Sequence, residues 1–291
     1  MDKKYKTAMD FKKALTAKLK EISKRDGVDI QRLQRRVAFD RLLCRLFSDK
    51  KMAWVLKGGH ALELRIDEAR ATMDIDLAMR AIADLGAKEN INASELILQE
   101  IQKKASLDLH DYFEFTISVS NEDLQGPPYG GSKFHVDVQI AGTTYVEFNL
   151  DVGIGDVWIE PYETIQLKDW LGFADIQSLS IPIISKEQHF AEKLHAYTLP
   201  RESKNSRVKD LVDLYLLMQK GDMNILLLKQ AIKLTFERRK THAVPQTISS
   251  PPEDWAKPFK AMALECRLNI EMMEGYNVLN TFYKKCNIHE T

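Results

Sequence analysis

A change of period constrains this chain more than any other feature. Apolar and polar residues alternate in four segments between residues 73 and 152: Met73 to Met79, Phe113 to Val119, Phe134 to Ile140 and Tyr145 to Val152. Alternation sends successive side chains to opposite faces, so each segment reads as a half-buried strand. The last three are separated by turn-rich residues, Gly126-Pro127-Pro128-Tyr129-Gly130-Gly131 and Ala141-Gly142. From Pro182 onward strand signals fade and helical spacing takes over. Helices are expected over 8–24, over 29–49 on Leu33, Val37, Leu42, Leu46 and Phe47, and over about 93–106 on Leu96, Ile97, Ile101 and Ala105. Ala53-Trp54-Val55-Leu56 is a short apolar run entering Gly58-Gly59, and Ala61-Leu62-Glu63-Leu64 fits a short helix. Later helices are expected over 186–198, from an N-cap at Ser206 to about Gln219 with Gly221 as the stop, over 224–239 and over 255–285, with 245–252 an extended loop. The fold class is α+β: a mixed sheet lobe flanked by helices, with a C-terminal helical lobe. The expected division is 1–50 as N-terminal helices packing on the core, 51–180 as the sheet lobe and 181–291 as the helical lobe completing an active-site cleft.

Charge narrows the list of partners. Lys+Arg and Asp+Glu both number 42, so no global field attracts a polyanion and any nucleic acid must be held locally. Residues 1 to 40 carry 12 Lys or Arg against 6 acids, a balance that more often marks a solvated helix face than a binding surface. The three cysteines, Cys44, Cys266 and Cys286, are far apart and form no CxxC, which argues against a disulfide framework and a zinc knuckle. With no apolar leader and no run long enough to span a membrane, a soluble protein in a reducing cytoplasm is expected.

The chemistry is concentrated around residues 57–77. Asp74 and Asp76, two apart in a strand, project together while Ile75 and Leu77 face the core, an arrangement suited to a hard divalent cation. Gly58 and Gly59 just upstream would let backbone N–H groups approach a triphosphate. Nucleotidyl transfer uses two metal ions about 4 Å apart, and a third carboxylate normally completes the cage. Asp151, at the end of Phe148-Asn149-Leu150-Asp151-Val152, is the preferred third ligand, with Asp137 as its competitor until a register is known. On the helical half, Lys193 borders the stripe of Phe190, Leu194 and Tyr197 and suits a point charge on phosphate. Asp210 and Asp213 share a largely apolar helix face, where buried acids need a cation such as Lys193 or Arg207.

Taken singly, each feature has an ordinary explanation. A DxD triplet is usually half of a surface ion pair, a Gly-Gly pair a tight turn, Lys193 a solvated lysine, and Asp210 with Asp213 a structural ion network. His60, His135, His189 and His195 show no metal-ligand spacing. Their joint occurrence in order is what raises the chemical reading.

The motifs Leu56-Lys57-Gly58-Gly59-His60-Ala61-Leu62, Arg70-Ala71-Thr72-Met73-Asp74-Ile75-Asp76-Leu77, Glu192-Lys193-Leu194-His195-Ala196 and Arg207 to Leu214, with Phe236 to Arg239, Thr241-His242, Pro245 and Trp255, resemble the nucleotidyltransferase-fold toxins of the AbiEii/AbiGii type. Their relatives include the mycobacterial MenT toxins of type IV toxin–antitoxin systems. The likeness runs from about residue 30 onward. It implies a Mg2+-dependent enzyme, with Mn2+ as the alternative ion, that moves an NMP from an NTP to an acceptor such as the 3′ end of tRNA. Growth inhibition or phage defence, and a cognate antitoxin, are further implications. Carried across, Asp74, Asp76, Lys193 and Asp210 would be catalytic, with metal on Asp74, Asp76 and Asp151. Lys57, Gly58, Gly59, Arg70, Thr72 and Lys193 would bind or brace the nucleotide. The broader superfamily commonly has Gly-Ser where this chain has Gly58-Gly59 followed by His60, which leaves phosphate contact to backbone N–H groups.

Two other function classes stand beside this one: a phosphotransferase using the same cleft, and a non-catalytic binding protein of the same fold. Arg201, Lys204, Arg207, Lys209, Arg238, Arg239 and Lys240 form a candidate RNA path.

Overall fold

The computed structural model describes residues 4–49, 54–81, 92–123, 127–201 and 207–288. In chain order the elements are α1 (Ala8–Asp26), α2 (Ile30–Leu46), β1 (Trp54–Lys57), α3 (Gly58–Arg65), β2 (Asp74–Met79), α4 (Ala93–Ala105), β3 (Glu114–Asp123), β4 (Gly131–Ile140), β5 (Thr143–Ile154), β6 (Glu163–Gln166), β7 (Ser180–Ile183), α5 (Lys186–Thr198), α6 (Val208–Lys220), α7 (Ile225–Arg239), α8 (Ala256–Glu265) and α9 (Met272–Lys285). They group into two compact units. One comprises 1–56, 73–155 and 164–183, the other 57–72, 156–163 and 184–291.

The first unit is built on a sheet of order β3-β4-β5-β2-β1-β7-β6. It is mixed: β3 with β4 and β4 with β5 pair antiparallel in a meander, while β2 pairs parallel with β5 and β1 parallel with β7. Parallel neighbours require crossovers, which explains how β5 lies beside β2 although helix and strand intervene. The period-two reading holds where it was strongest, because Ile75, Leu77, Leu150 and Val152 are fully buried while Asp74, Asp76 and Asp151 are half-buried. Helix α2 buries Leu33, Val37, Phe39, Leu42 and Leu43. It also carries Arg41 and Arg45, whose guanidiniums converge on the buried Asp111 at 2.6 and 2.7 Å, and Asp40, which accepts from the Trp170 indole at 2.7 Å. Buried charge is tolerated here because every member is paired.

The second unit is helical. Phe190, Leu194, Leu211, Leu214, Leu228, Ile232, Phe259 and Leu279 form its core, and residues 57–72 and 156–163 add Leu62, Ile66, Ala69 and Ile159 to it.

Three expectations change. Strands β6 and β7, four residues each, were not expected, since a segment so short shows too few alternations to declare a period. The helix expected over 255–285 is two helices, because the chain leaves α8 at Cys266 and Arg267 takes a left-handed φ of 57° before α9 begins. Helix α6 starts at Val208 with Arg207 at its cap position, and Ser206, like Lys204, lies outside the described residues.

Candidate active-site residues

Strand register places the carboxylates of the first unit. Asp76 is the ladder partner of Asp151 and Asp74 that of Asn149. Ladder partners share a face, and so do residues two apart, so Asp74, Asp76 and Asp151 all project from one face of the adjacent strands β2 and β5. Asp137, the competitor, is the partner of Glu147, four residues from Asp151 along β5 and therefore about 13 Å away. The residue of β4 opposite Asp151 is Lys133. Three hard oxygen donors on one face fit a divalent cation by chemistry. As their side chains stand, no three His, Cys, Asp or Glu residues among those described close to metal-binding distance.

The remaining candidates lie in the second unit. Gly58 opens α3 at φ +67°, a conformation that a side chain would strain. Lys57, the residue at the N-cap of α3, makes no side-chain capping bond, and the start of a helix favours anions. Gly59 is constrained differently. A Cβ there would lie 2.5 Å from the Thr72 Oγ1 and 3.0 Å from the Thr72 Cβ, so the Thr72 side chain fills the space that a residue at 59 would use.

Two buried charge clusters flank α5. In one, Asp213 takes a bidentate pair from Arg70 at 3.0 and 2.9 Å and a third contact from the Lys193 Nζ at 2.7 Å. Lys193 also donates to Asp210 at 3.2 Å, and the Arg207 guanidinium lies 3.8 Å from Asp210. Burial pushes the Asp213 carboxyl up, but Lys193 and Arg70 outweigh it and hold it down at about 2. Burial and Arg70 push Lys193 down, but Asp213 and Asp210 outweigh them and raise it, so it is a firmly charged ammonium. The cation expected for the two acids on α6 is therefore Lys193 joined by Arg70, while Arg207 stands further off.

In the other cluster Lys57 pairs with Asp156 and, at 3.4 Å, with Glu192, while Arg239 reaches Asp156 at 3.0 Å and Glu192 at 3.6 Å. Burial opposes the charge on Asp156, yet Lys57 and Arg239 bring it down to about 2. Lys57, expected to bind or brace the nucleotide, is thus already engaged by two carboxylates at the end of β1. Glu192 and Lys193, adjacent on α5, serve one cluster each. Asp156 and Arg239 went unremarked as partners in the sequence. The usable signal was Asp151-Val152-Gly153-Ile154-Gly155-Asp156, an acid directly after a glycine-punctuated strand end. His195, the fourth candidate histidine, bonds Thr241 at 2.8 Å and is held near pKa 3 by burial, with Arg239 and His242 adding to the effect, so it is a neutral packing group.

The profile described as "Nucleotidyl transferase AbiEii toxin, Type IV TA system" matches residues 41–273. Among solved structures, MenT4, a nucleotidyltransferase toxin from Mycobacterium tuberculosis H37Rv, is similar in fold at TM-score 0.56 and 15% identity, over 82% of this chain and 84% of that one. JHP933 from Helicobacter pylori aligns at TM-score 0.42 and 16% identity, over 86% of this chain and 98% of that one. A comparison with curated proteins finds no match.

Proposed function

Since the chain belongs to the AbiEii nucleotidyltransferase toxin family of type IV toxin–antitoxin systems, we propose that it transfers an NMP from an NTP to an RNA acceptor, the 3′ end of a tRNA, and so arrests growth. The observation that carries this reading is the β2–β5 register, which puts Asp74, Asp76 and Asp151 on one face. These three would hold Mg2+, or Mn2+ in its place, whose chemistry is to neutralise the triphosphate and lower the pKa of the attacking hydroxyl.

The chain's own groups have distinct tasks in this reading. The N–H donors at Gly58 and Gly59 face phosphate oxygens, and their place at the start of α3 supports that role. Lys193 places a positive charge on phosphate, and Asp210 and Asp213 hold its ammonium. Arg70 fixes Asp213, and Thr72 packs over Gly59. Lys57 braces the strand end from which the glycines emerge, through Asp156 and Glu192. The family also implies an antitoxin partner.

Incubating the purified protein with Mg2+, total RNA and each labelled NTP in turn should label RNA. Asp74→Ala and Asp76→Ala should abolish the signal, and persistent labelling in both variants would overturn the proposal. The mass added to the acceptor, an NMP or a phosphate, separates nucleotidyl transfer from phosphoryl transfer.

A further inference from the structure

Beside the Lys193 cluster the second unit has a small recess of about 250 Å³, formed by the end of α5, residues 245–252 and Trp255. We propose that this recess receives the terminal unpaired nucleotide of the RNA acceptor. The proposal rests on the nucleotidyltransferase reading above and adds where the acceptor end sits.

Size decides against the NTP as the guest. Pockets that enclose a drug-sized ligand run from about 300 to 1,000 Å³, so this one suits a single base with part of its ribose. Its chemistry is matched to that guest. Arg201, Thr247 and Ser249 are exposed along it and offer a guanidinium plane and two hydroxyl groups, and the largely buried Tyr197 and Trp255, which meet edge to face at 5.9 Å, back the recess. Unpaired bases are recognised by stacking on aromatic or guanidinium planes together with hydrogen bonds to their edges.

The recess is pre-formed. Residues 245–252 form neither helix nor strand, and three phenol hydroxyls hold their carbonyls: Tyr197 donates to Ser249, Tyr276 to Ile248 at 2.8 Å and Tyr283 to Pro245. Ile248 is buried beneath them. A wall fixed by hydrogen bonds from two helices loses little freedom when a ligand enters.

Charge and position link the recess to the chemistry. Tyr197 follows Lys193 by one turn of α5, about 6 Å along the axis. The proposal places the ribose of a nucleotide in the recess toward the Lys193 side of α5. Arg201 lines the recess, and Arg201, Arg207 and Lys209 join Arg70 and Lys193 around the two carboxylates Asp210 and Asp213. Burial and then neighbouring cations lower the pKa of both Arg201 and Lys209, while Asp210 opposes the shift in each. Positive charge is in local excess although the chain is neutral overall, and a polyanion relieves it.

Fluorescence anisotropy of the full chain with a labelled, unstructured oligoribonucleotide ending in a free 3′ hydroxyl tests the proposal without requiring turnover. Thr247→Trp, which fills the recess from an exposed position, should weaken RNA binding by at least ~10-fold, as loss of one stacked base does. Arg201→Ala should reduce the slope of log affinity against log salt by about 0.7, one single-strand phosphate contact. NTP affinity by calorimetry and thermal unfolding should match the parent in both variants. Ser250→Trp is a second filling variant should Thr247→Trp unfold. Parental RNA affinity in a folded filling variant would overturn the recess as the acceptor site, and so would a wild type that binds NTP but no RNA. Failure of the wild type to bind NTP with Mg2+ instead removes the nucleotidyltransferase reading itself.

Discussion

Thr72 and Asp213 show how single residues constrain the site. A Cβ at Gly59 would meet the Thr72 hydroxyl at 2.5 Å, tighter than real side chains tolerate, and the Thr72 Cβ at 3.0 Å. Gly59→Ser should therefore destabilise the protein by about 1–3 kcal/mol, the usual cost of overpacking. Thr72→Ala in the same chain should recover part of that loss, because it removes the hydroxyl but keeps the Cβ, and Thr72→Gly should recover more. Denaturant unfolding of the single and double variants checks the order. Asp213 carries a pH dependence of definite sign. Its folded pKa is depressed from 3.8 to about 2, so its stabilisation is complete above the unfolded value and disappears as pH falls through the folded one. Stability should drop by on the order of 2 kcal/mol between about pH 4 and pH 2 on its account. Asp213→Asn should flatten that part of the profile in acid titrations followed by circular dichroism. At neutral pH the same variant leaves Arg70 and Lys193 short of a carboxylate and should cost about 3–5 kcal/mol, as breaking a buried pair does.

Among the elements, the β2–β5 pair and helix α6 matter most. Because Asp151 is the ladder partner of Asp76 while Asp137 is that of Glu147, Asp151→Asn and Asp137→Asn should behave differently. Loss of an outer-sphere partner of a metal ligand costs about 10–100-fold, so loss of a ligand should weaken Mg2+-dependent NTP binding by at least ~10-fold. Asp137→Asn should leave it near the parent value in calorimetry. Helix α6 presents Asp210 and Asp213 from an otherwise apolar face that includes the fully buried Leu211, Leu214 and Leu217. Leu214→Ala should lower the unfolding free energy by about 2–5 kcal/mol in denaturant titrations, the range for a truncated core leucine.

For the whole molecule, membership of a toxin family predicts that induced expression arrests growth and that Asp76→Ala expression does not, which viable counts after induction would read. The formal net charge of 0 means that any RNA affinity comes from local cations, so it should fall steeply with salt even though the chain is neutral. The sequence by itself was sufficient for the faces of elements: period two placed Asp74 and Asp76 together on β2, and helical spacing placed Asp210 and Asp213 on one side of α6. Motif order was sufficient for the family. Both are local properties, carried by residues within a few positions of one another. Partner choice is not local. Only the tertiary structure set Asp151 rather than Asp137 beside Asp76, because a strand's register depends on which neighbour its buried face packs with. Only it joined Arg70 to Asp213 across 143 residues and Lys57 to Asp156 across 99, pairings that burial enforces because an unpaired charge in those interiors would cost several kcal/mol.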